Sequence, residues 1–186
     1  QALALHDALT GLPNRRLLED RIENALQHAS RNHHKAAIMY LDLDGFKAIN
    51  DTYGHAYGDE VLKIVSQRLL ATARKEDTVA RLGGDEFMVV LGEVNGLADA
   101  QGPAAKLVEA ISEPFFINDL TLRLSTSIGI SIYPDDADTV DALISIADYA
   151  LYEAKRGGKN RFCATSASPA SMVPPPKLEM LPRAPR

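Results

Sequence analysis

Hydrophobic positions along the chain follow two alternating patterns. Thr78–Leu82 and Phe87–Leu91 are short β-branched and apolar runs that meet at Gly83-Gly84, which predicts a buried hairpin. Ala36–Leu41 is almost continuously apolar, as suits a strand buried on both faces, and it ends in Asp42-Leu43-Asp44. Side chains alternate along a strand, so the two acids share one face and Leu43 points to the other. A second hairpin is predicted from Phe115–Ile117 to a strand over Leu120–Tyr133, turning at Asn118-Asp119. In that long strand Leu122, Leu124, Thr126, Ile128, Ile130 and Ile132 line one face, opposite Arg123, Ser125, Ser127 and Ser131, so it is expected to cover core on one side only.

Helical spacing fills the intervals. Asn14 has N-cap chemistry for a helix burying Leu18, Ile22, Ala25 and Ala29 and ending near Asn32, and His33-His34 reads as its solvated end. A short helix is expected over Gly45–Thr52. A glycine-marked turn over Tyr53–Asp59 then leads into a long helix that buries Val61 or Leu62, Val65 and Leu69. Asp59 is expected in the first turn of that helix, where the dipole favours a carboxylate. Asn95–Ser112 has helical spacing, with Gly102-Pro103 expected to delay or kink its start. Thr139 or Asp138 caps a last helix that buries Leu143, Ala147, Ala150, Leu151 and Ala154 and stops at Gly157-Gly158.

Strands and helices thus alternate while the hairpins demand antiparallel pairing. The expected fold is α/β of the α+β kind, a palm or ferredoxin-like sandwich with a central mixed, mostly antiparallel sheet flanked by helices. Ala2, Leu5 and Leu9 are spaced to continue a helix arriving from upstream, so residues 1–9 are expected as an N-terminal connector helix and residues 10–164 as the domain. Six of the ten prolines lie between Pro169 and Pro185, so residues 165–186 are expected as a flexible, polyproline-like tail or linker.

Composition narrows the chemistry. A chain of 186 residues holds one ordinary domain with some excess, and a net charge of -5 argues against a general nucleic-acid binder. A single cysteine, Cys163, excludes a disulfide framework and a Cys-rich zinc site, which favours a reducing cytoplasm. No apolar run reaches membrane-spanning length, so no membrane contact is expected of this piece, and a start at Gln1 suggests excision from a longer protein. The Gly83-Gly84 turn lets a polyanion approach the backbone, while Asp85 and Glu86 offer hard oxygen ligands. If the fold brings the end of the Asp42 strand beside that turn, Asp42, Asp85 and Glu86 converge on a two-Mg²⁺ site for phosphoryl chemistry.

Four ordered stretches carry a resemblance. Asp42-Leu43-Asp44-Gly45-Phe46-Lys47-Ala48-Ile49-Asn50-Asp51, then Gly54-His55 and Gly58-Asp59, then Gly83-Gly84-Asp85-Glu86-Phe87, closely resemble the GGDEF family of diguanylate cyclases. Asp7–Arg15 is similar to that family's opening motif and Ala150–Lys155 to its closing one. The resemblance covers about residues 5 to 163. It implies condensation of two GTP into cyclic di-GMP with release of two pyrophosphates, by a homodimer in which each domain binds one nucleotide. By motif position, Asp42, the Leu43 carbonyl, Asp85 and Glu86 would hold two Mg²⁺, or Mn²⁺, with Asp85 also at the proton-acceptor position.

The resemblance extends to the rest of the site. Lys47 would meet the triphosphate, Asn50 and Asp59 would read guanine, and His55, Gly83 and Gly84 would belong to the substrate site. Lys155 and Lys159 would hold terminal phosphates. Lys159 stands where the family usually has arginine, which loses the bidentate fork. Arg74 and Asp77 resemble the family's inhibitory product site. An upstream sensory domain, and a domain beyond the tail, are the partners implied. The rival readings are a silent GTP- or cyclic di-GMP-binding regulatory module of a larger cyclase–phosphodiesterase protein, and a palm-type cyclase acting on a single nucleotide.

Overall fold

The computed structural model describes residues 4–165. Along them run α1 (Arg15–Asn32), β1 (Lys35–Asp44), α2 (Phe46–Tyr53), α3 (His55–Thr72), β2 (Thr78–Gly83), β3 (Glu86–Val94) and α4 (Leu97–Ser112). There follow β4 (Phe115–Ile117), β5 (Leu120–Leu122), β6 (Ser125–Tyr133), α5 (Val140–Arg156) and β7 (Arg161–Ala164). Five strands form the main sheet in the order β2-β3-β1-β6-β7, with β1 in the middle. All neighbours are antiparallel except β6 and β7, which run parallel. The expected mixed, mostly antiparallel sandwich is therefore the observed one.

The alternation of β1 divides the core in two. Ala37, Met39, Leu41 and Leu43 pack with Phe46, Val61, Val65, Leu69 and Leu107 from α2, α3 and α4. Ala36, Ile38 and Tyr40 pack on the other face with Leu18, Ile22 and Leu26 of α1 and Leu143, Ala147 and Leu151 of α5. Asp42 and Asp44 continue the second row, so they emerge on the α1 and α5 side. Asn14 caps α1 by accepting from the Leu17 N–H at 3.2 Å, as its chemistry predicts. His33 closes that helix in left-handed backbone and is exposed, whereas His34 is half-buried, so only the first is a solvated end.

Several expectations are corrected. Residues 4–9 form no helix: His6 bridges to Pro13, and Asp7 accepts from the Thr10 N–H and hydroxyl at 2.9 and 2.7 Å, folding the stretch into a turn. Leu5 and Leu9 carried helical spacing, but this local side-chain bonding outcompetes the helix. α3 starts at His55, not after Gly58, so Asp59 is its fifth residue and the dipole gives no reason for an acid there. α4 is not delayed by Gly102-Pro103: it begins at Leu97 and holds Pro103 inside it. Leu120–Tyr133 is two strands, since β5 pairs with β4 in a separate two-stranded sheet and β6 alone enters the main one. β7 was not anticipated, and Thr165, assigned to the tail, is buried against α5 with its hydroxyl 3.5 Å from Glu153. The rest of the expected tail lies outside the described residues. No helix among the described residues is long and apolar enough to cross a membrane.

β6 also departs from one-sided burial. Ser127 and Ser131 are fully buried, because α5 lies directly on the face they share. Small side chains let the helix approach, and hydroxyls find partners: Ser131 Oγ donates to the Leu143 carbonyl at 2.8 Å. Gly129 is the closest point, where a Cβ would collide with the Ala147 carbonyl and the Leu151 N–H. Gly129→Ala is therefore expected to lower unfolding free energy by roughly 3 kcal/mol, the upper end for overpacking, and a urea titration against wild type measures it.

Candidate nucleotide and metal site

The end of β1 and the turn between β2 and β3 are stitched together by backbone. Asp42 lies opposite Glu86 in the β1–β3 ladder, and the Leu43 N–H donates to the Asp85 carbonyl at 3.2 Å. The turn needs its glycines: Gly83 and Gly84 have φ of +138° and +49°, which side chains rarely tolerate. Arg81 holds it from the side, donating through Nε and Nη2 to the Gly84 carbonyl at 3.1 and 2.9 Å. The same guanidinium donates through Nη1 to both Asp7 carboxylate oxygens at 3.0 and 3.1 Å. Burial works to raise Asp7, but the Thr10 hydrogen bonds and then Arg81 outweigh it and leave its carboxyl below the ordinary range. Sequence reasoning missed Arg81. Its signal was an arginine inside an otherwise apolar hairpin strand.

Three carboxylates meet at this point under electrostatic tension. Asp42 Oδ2 is ion-paired with Lys155 Nζ at 2.7 Å, while Asp42 Oδ1 is buried with no hydrogen-bond donor. Asp85 is raised to about 7, first by burial and then by the negative charge of Asp42 and a hydrogen bond shared with it. Glu86 is also raised, chiefly by burial, with the Tyr40 hydroxyl opposing the shift by donating to Oε2 at 3.1 Å. Burial, followed by the charge of Glu86, pushes the Tyr40 phenol above its usual value.

The structure brings Asp42 beside both Asp85 and Glu86, but it does not close the three into a cage. Among the described residues no three acidic, imidazole or thiol groups are arranged to hold a metal ion. Lys155 pairs with Asp42 and the Tyr40 hydroxyl donates to Glu86, so both acids already have partners beside the third. A hard divalent cation nevertheless fits the donor set. Asp42 Oδ1 lacks a donor, and a cation would relieve the repulsion from Asp42 that adds to burial in raising Asp85.

The second acid of β1 goes elsewhere: Asp44 accepts from the Ser125 and Ser127 hydroxyls and the Asn160 N–H and is not a metal candidate. On the opposite layer, Asn50 of α2 packs against α3, and its Oδ1 is buried without a donor. Only glycine at position 58 leaves room for that amide, since a Cβ there would collide with Asn50 Oδ1. Asp59, next along, is exposed, as are His55 at the start of α3 and Lys47 on α2. Lys159 is exposed beyond the end of α5, in left-handed backbone at φ +65°.

Arg74 and Asp77 belong to a separate place. Asp77 Oδ2 accepts from the Arg74 N–H at 2.9 Å in a turn before β2, so all of β2, roughly 20 Å at strand rise, separates them from the Gly83 turn. Burial raises the Asp77 carboxyl.

The sign of the Asp85 shift makes a test. A carboxyl raised in the folded state contributes stability below its unfolded value of 3.8 that is lost as pH climbs through about 7. In chelator, wild-type thermal stability is expected to fall across that window. Asp85→Asn should flatten the fall and melt higher than wild type at pH 8, as differential scanning calorimetry would show.

The family model described as "Diguanylate cyclase, GGDEF domain" matches residues 4–161. The chain is 50% identical over 166 residues to the bifunctional diguanylate cyclase/cyclic di-GMP phosphodiesterase MucR of Pseudomonas aeruginosa, covering 89% of this chain and 24% of that protein. It is 45% identical over 154 residues to the diguanylate cyclase TpbB of the same species, covering 82% and 35%. It is 40% identical over 161 residues to the cyclic di-GMP phosphodiesterase PdeR of Escherichia coli, covering 87% and 24%. The chain thus spans about a quarter to a third of the length of these relatives. Among solved structures, the GGDEF domain of TpbB superposes with a TM-score of 0.83 at 42% identity, covering 86% of this chain and 94% of that one. The GGDEF domain of DgcB from Caulobacter crescentus, in complex with c-di-GMP, gives 0.79 at 28%, covering 88% and 97%. The chain belongs to the GGDEF domain family of diguanylate cyclases.

Proposed function

We propose that this domain condenses two GTP molecules into cyclic di-GMP with release of two pyrophosphates, as a magnesium-dependent homodimer restrained by its own product. The observation that carries the reading is the buried Asp42 Oδ1 without a donor, at the end of the central strand where Glu86 lies opposite and Asp85 feels the Asp42 charge. Asp42, the Leu43 carbonyl, Asp85 and Glu86 would hold Mg²⁺, with Mn²⁺ an alternative. Bound there, the metal would supply Lewis-acid activation of a hydroxyl and of the α-phosphate. Gly83 and Gly84 would leave the backbone open to the phosphates, and Asp85 would accept the proton of the attacking 3′-hydroxyl. Lys155, now on Asp42, would turn to the terminal phosphates together with Lys159, and Lys47 would meet the triphosphate.

Guanine would be read at α2 and α3, with His55 at the rim of that site. The Asp59 carboxylate can accept from the N1 and N2 donors, and the Asn50 amide complements the remaining edge. One nucleotide per domain means that two domains must face each other, so catalysis requires a homodimer. With GTP as substrate the domain would work in the cytoplasm, and an upstream sensory domain would set the encounter. Arg74 and Asp77, remote from the turn, would hold product and slow catalysis by favouring unproductive arrangements. The c-di-GMP complex of the DgcB domain supports product binding by this fold.

The 40% identity to PdeR, a phosphodiesterase by name, favours one second reading, a nucleotide-binding module that regulates a larger protein. Incubation of concentrated protein with GTP and Mg²⁺, with products identified by mass, separates the two. Cyclic di-GMP from wild type supports the cyclase. No product even from an enforced dimer that binds GTP supports the module.

Glu86→Gln is expected to lower turnover at least about a hundredfold while melting close to wild type, because it removes charge from a partly exposed ligand position; unchanged turnover would remove the metal-site argument. Arg74→Ala should raise the product inhibition constant about tenfold or more with an initial rate within about twofold of wild type. Progress curves with added cyclic di-GMP measure it.

A further inference from the structure

Of the two acids that close β1, the proposed chemistry uses only Asp42. Asp44 is 8% exposed, and its carboxylate is fully engaged. Oδ2 accepts from the Ser125 hydroxyl at 2.8 Å, the Ser127 hydroxyl at 3.1 Å and the Asn160 N–H at 3.1 Å. Oδ1 accepts from the Ser127 hydroxyl at 2.9 Å. The serines lie on the adjacent strand, where a bond across the ladder is unsurprising. Asn160 lies in the loop between α5 and β7, the loop that presents Lys159.

That loop holds two successive non-glycine residues in left-handed backbone, Lys159 at φ +65° and Asn160 at φ +49°. L side chains rarely adopt this conformation, so it persists only where neighbours over-determine it. The peptide unit between the two residues is gripped at both ends. Its carbonyl, on Lys159, accepts from Arg161 Nε at 3.0 Å, and its N–H, on Asn160, donates to Asp44. Arg161 is a near neighbour along the chain, and the Lys159 N–H donates to the Ala154 carbonyl of α5 at 3.1 Å. Asp44 is the anchor that belongs to the central strand, and three donors hold its carboxyl group in place there.

We propose that Asp44 is a positioning residue for nucleotide binding: it fixes the Lys159–Asn160 peptide on the central strand and so holds Lys159 over the terminal phosphates of a bound nucleoside triphosphate. The inference rests on the proposed function in placing Lys159 at those phosphates. It also accounts for an acid at position 44. Three donors converge on two oxygens there, whereas an amide offers one acceptor and brings two donors of its own.

The test is equilibrium binding of GMP and of a GTP analogue with a non-cleavable α–β bridge, by titration calorimetry with Mg²⁺. Asp44→Asn is expected to weaken the analogue about tenfold, the loss of one charged contact, and GMP less than about twofold. In a Lys159→Ala background Asp44→Asn should cost nothing further. Ser127→Ala, which leaves the Asn160 bond in place, should lower the melting temperature while keeping the analogue-to-GMP ratio. Equal weakening of both ligands by Asp44→Asn, or full additivity with Lys159→Ala, would overturn the proposal. A wild type that does not favour the analogue over GMP would overturn the triphosphate reading itself. Should Asp44→Asn fail to fold, hydrogen exchange at the Asn160 amide of the wild type decides. Protection like that of β6 supports the anchor, and unprotected exchange refutes it.

Discussion

A carboxylate buried beside other carboxylates must be balanced by a cation, and much of this domain's arrangement can be traced to how Asp42 is balanced. The acid lies at the end of the central strand with Glu86 opposite and Asp85 next to it, and Lys155 of α5 answers it. For Lys155 to arrive, α5 must lie almost in contact with the sheet. Gly129 and the buried serines of β6 permit that approach, and Ser131 fastens the helix by its Leu143 carbonyl. The packing of one helix on one strand is thus the mechanical condition for the charge balance of the site.

The site also straddles the sheet. Asp42 and Lys155 belong to the layer of α1 and α5, whereas Asn50, Gly58 and Asp59 belong to the layer of α2 and α3. On the proposed reading, Asp42 and Lys155 would meet the metal and phosphates from one layer, while Lys47, Asn50 and Asp59 would approach from the other. A nucleotide lying across the strand end would touch both layers without entering either core.

Much of this was legible because strong local patterns agree with the global arrangement. The apolar run before Asp42, the glycines at 83 and 84 and the Asn14 cap each specified an element, and the four motifs specified the family. The misreadings share a cause, the contribution of distant partners. Nothing near Ser127 or Ser131 announces that α5 will bury them, and polar residues there read as solvent-facing. β7 is only four residues long and gains its place from β6, more than thirty positions earlier. Leu5 and Leu9 suggested a helix because the competing bonds, Asp7 to Thr10 and to Arg81, join a local turn with a residue far along the chain. Arg81 was passed over for the same reason. The placement of Asp59 failed on a boundary, since Gly54 and not Gly58 starts α3.

The sheet order has a consequence for how the chain is made. A ribosome delivers β1 early, but its two neighbours in the sheet are β3 and β6, and β6 ends at Tyr133. Until that residue has emerged the central strand has one open edge, apolar on both sides, and the nascent chain carries a strand able to pair with another copy. The helix that neutralises Asp42 comes later still, and β7 last. The domain's interior is therefore completed from its C-terminal third, and the central strand keeps an open edge until shortly before its cation arrives.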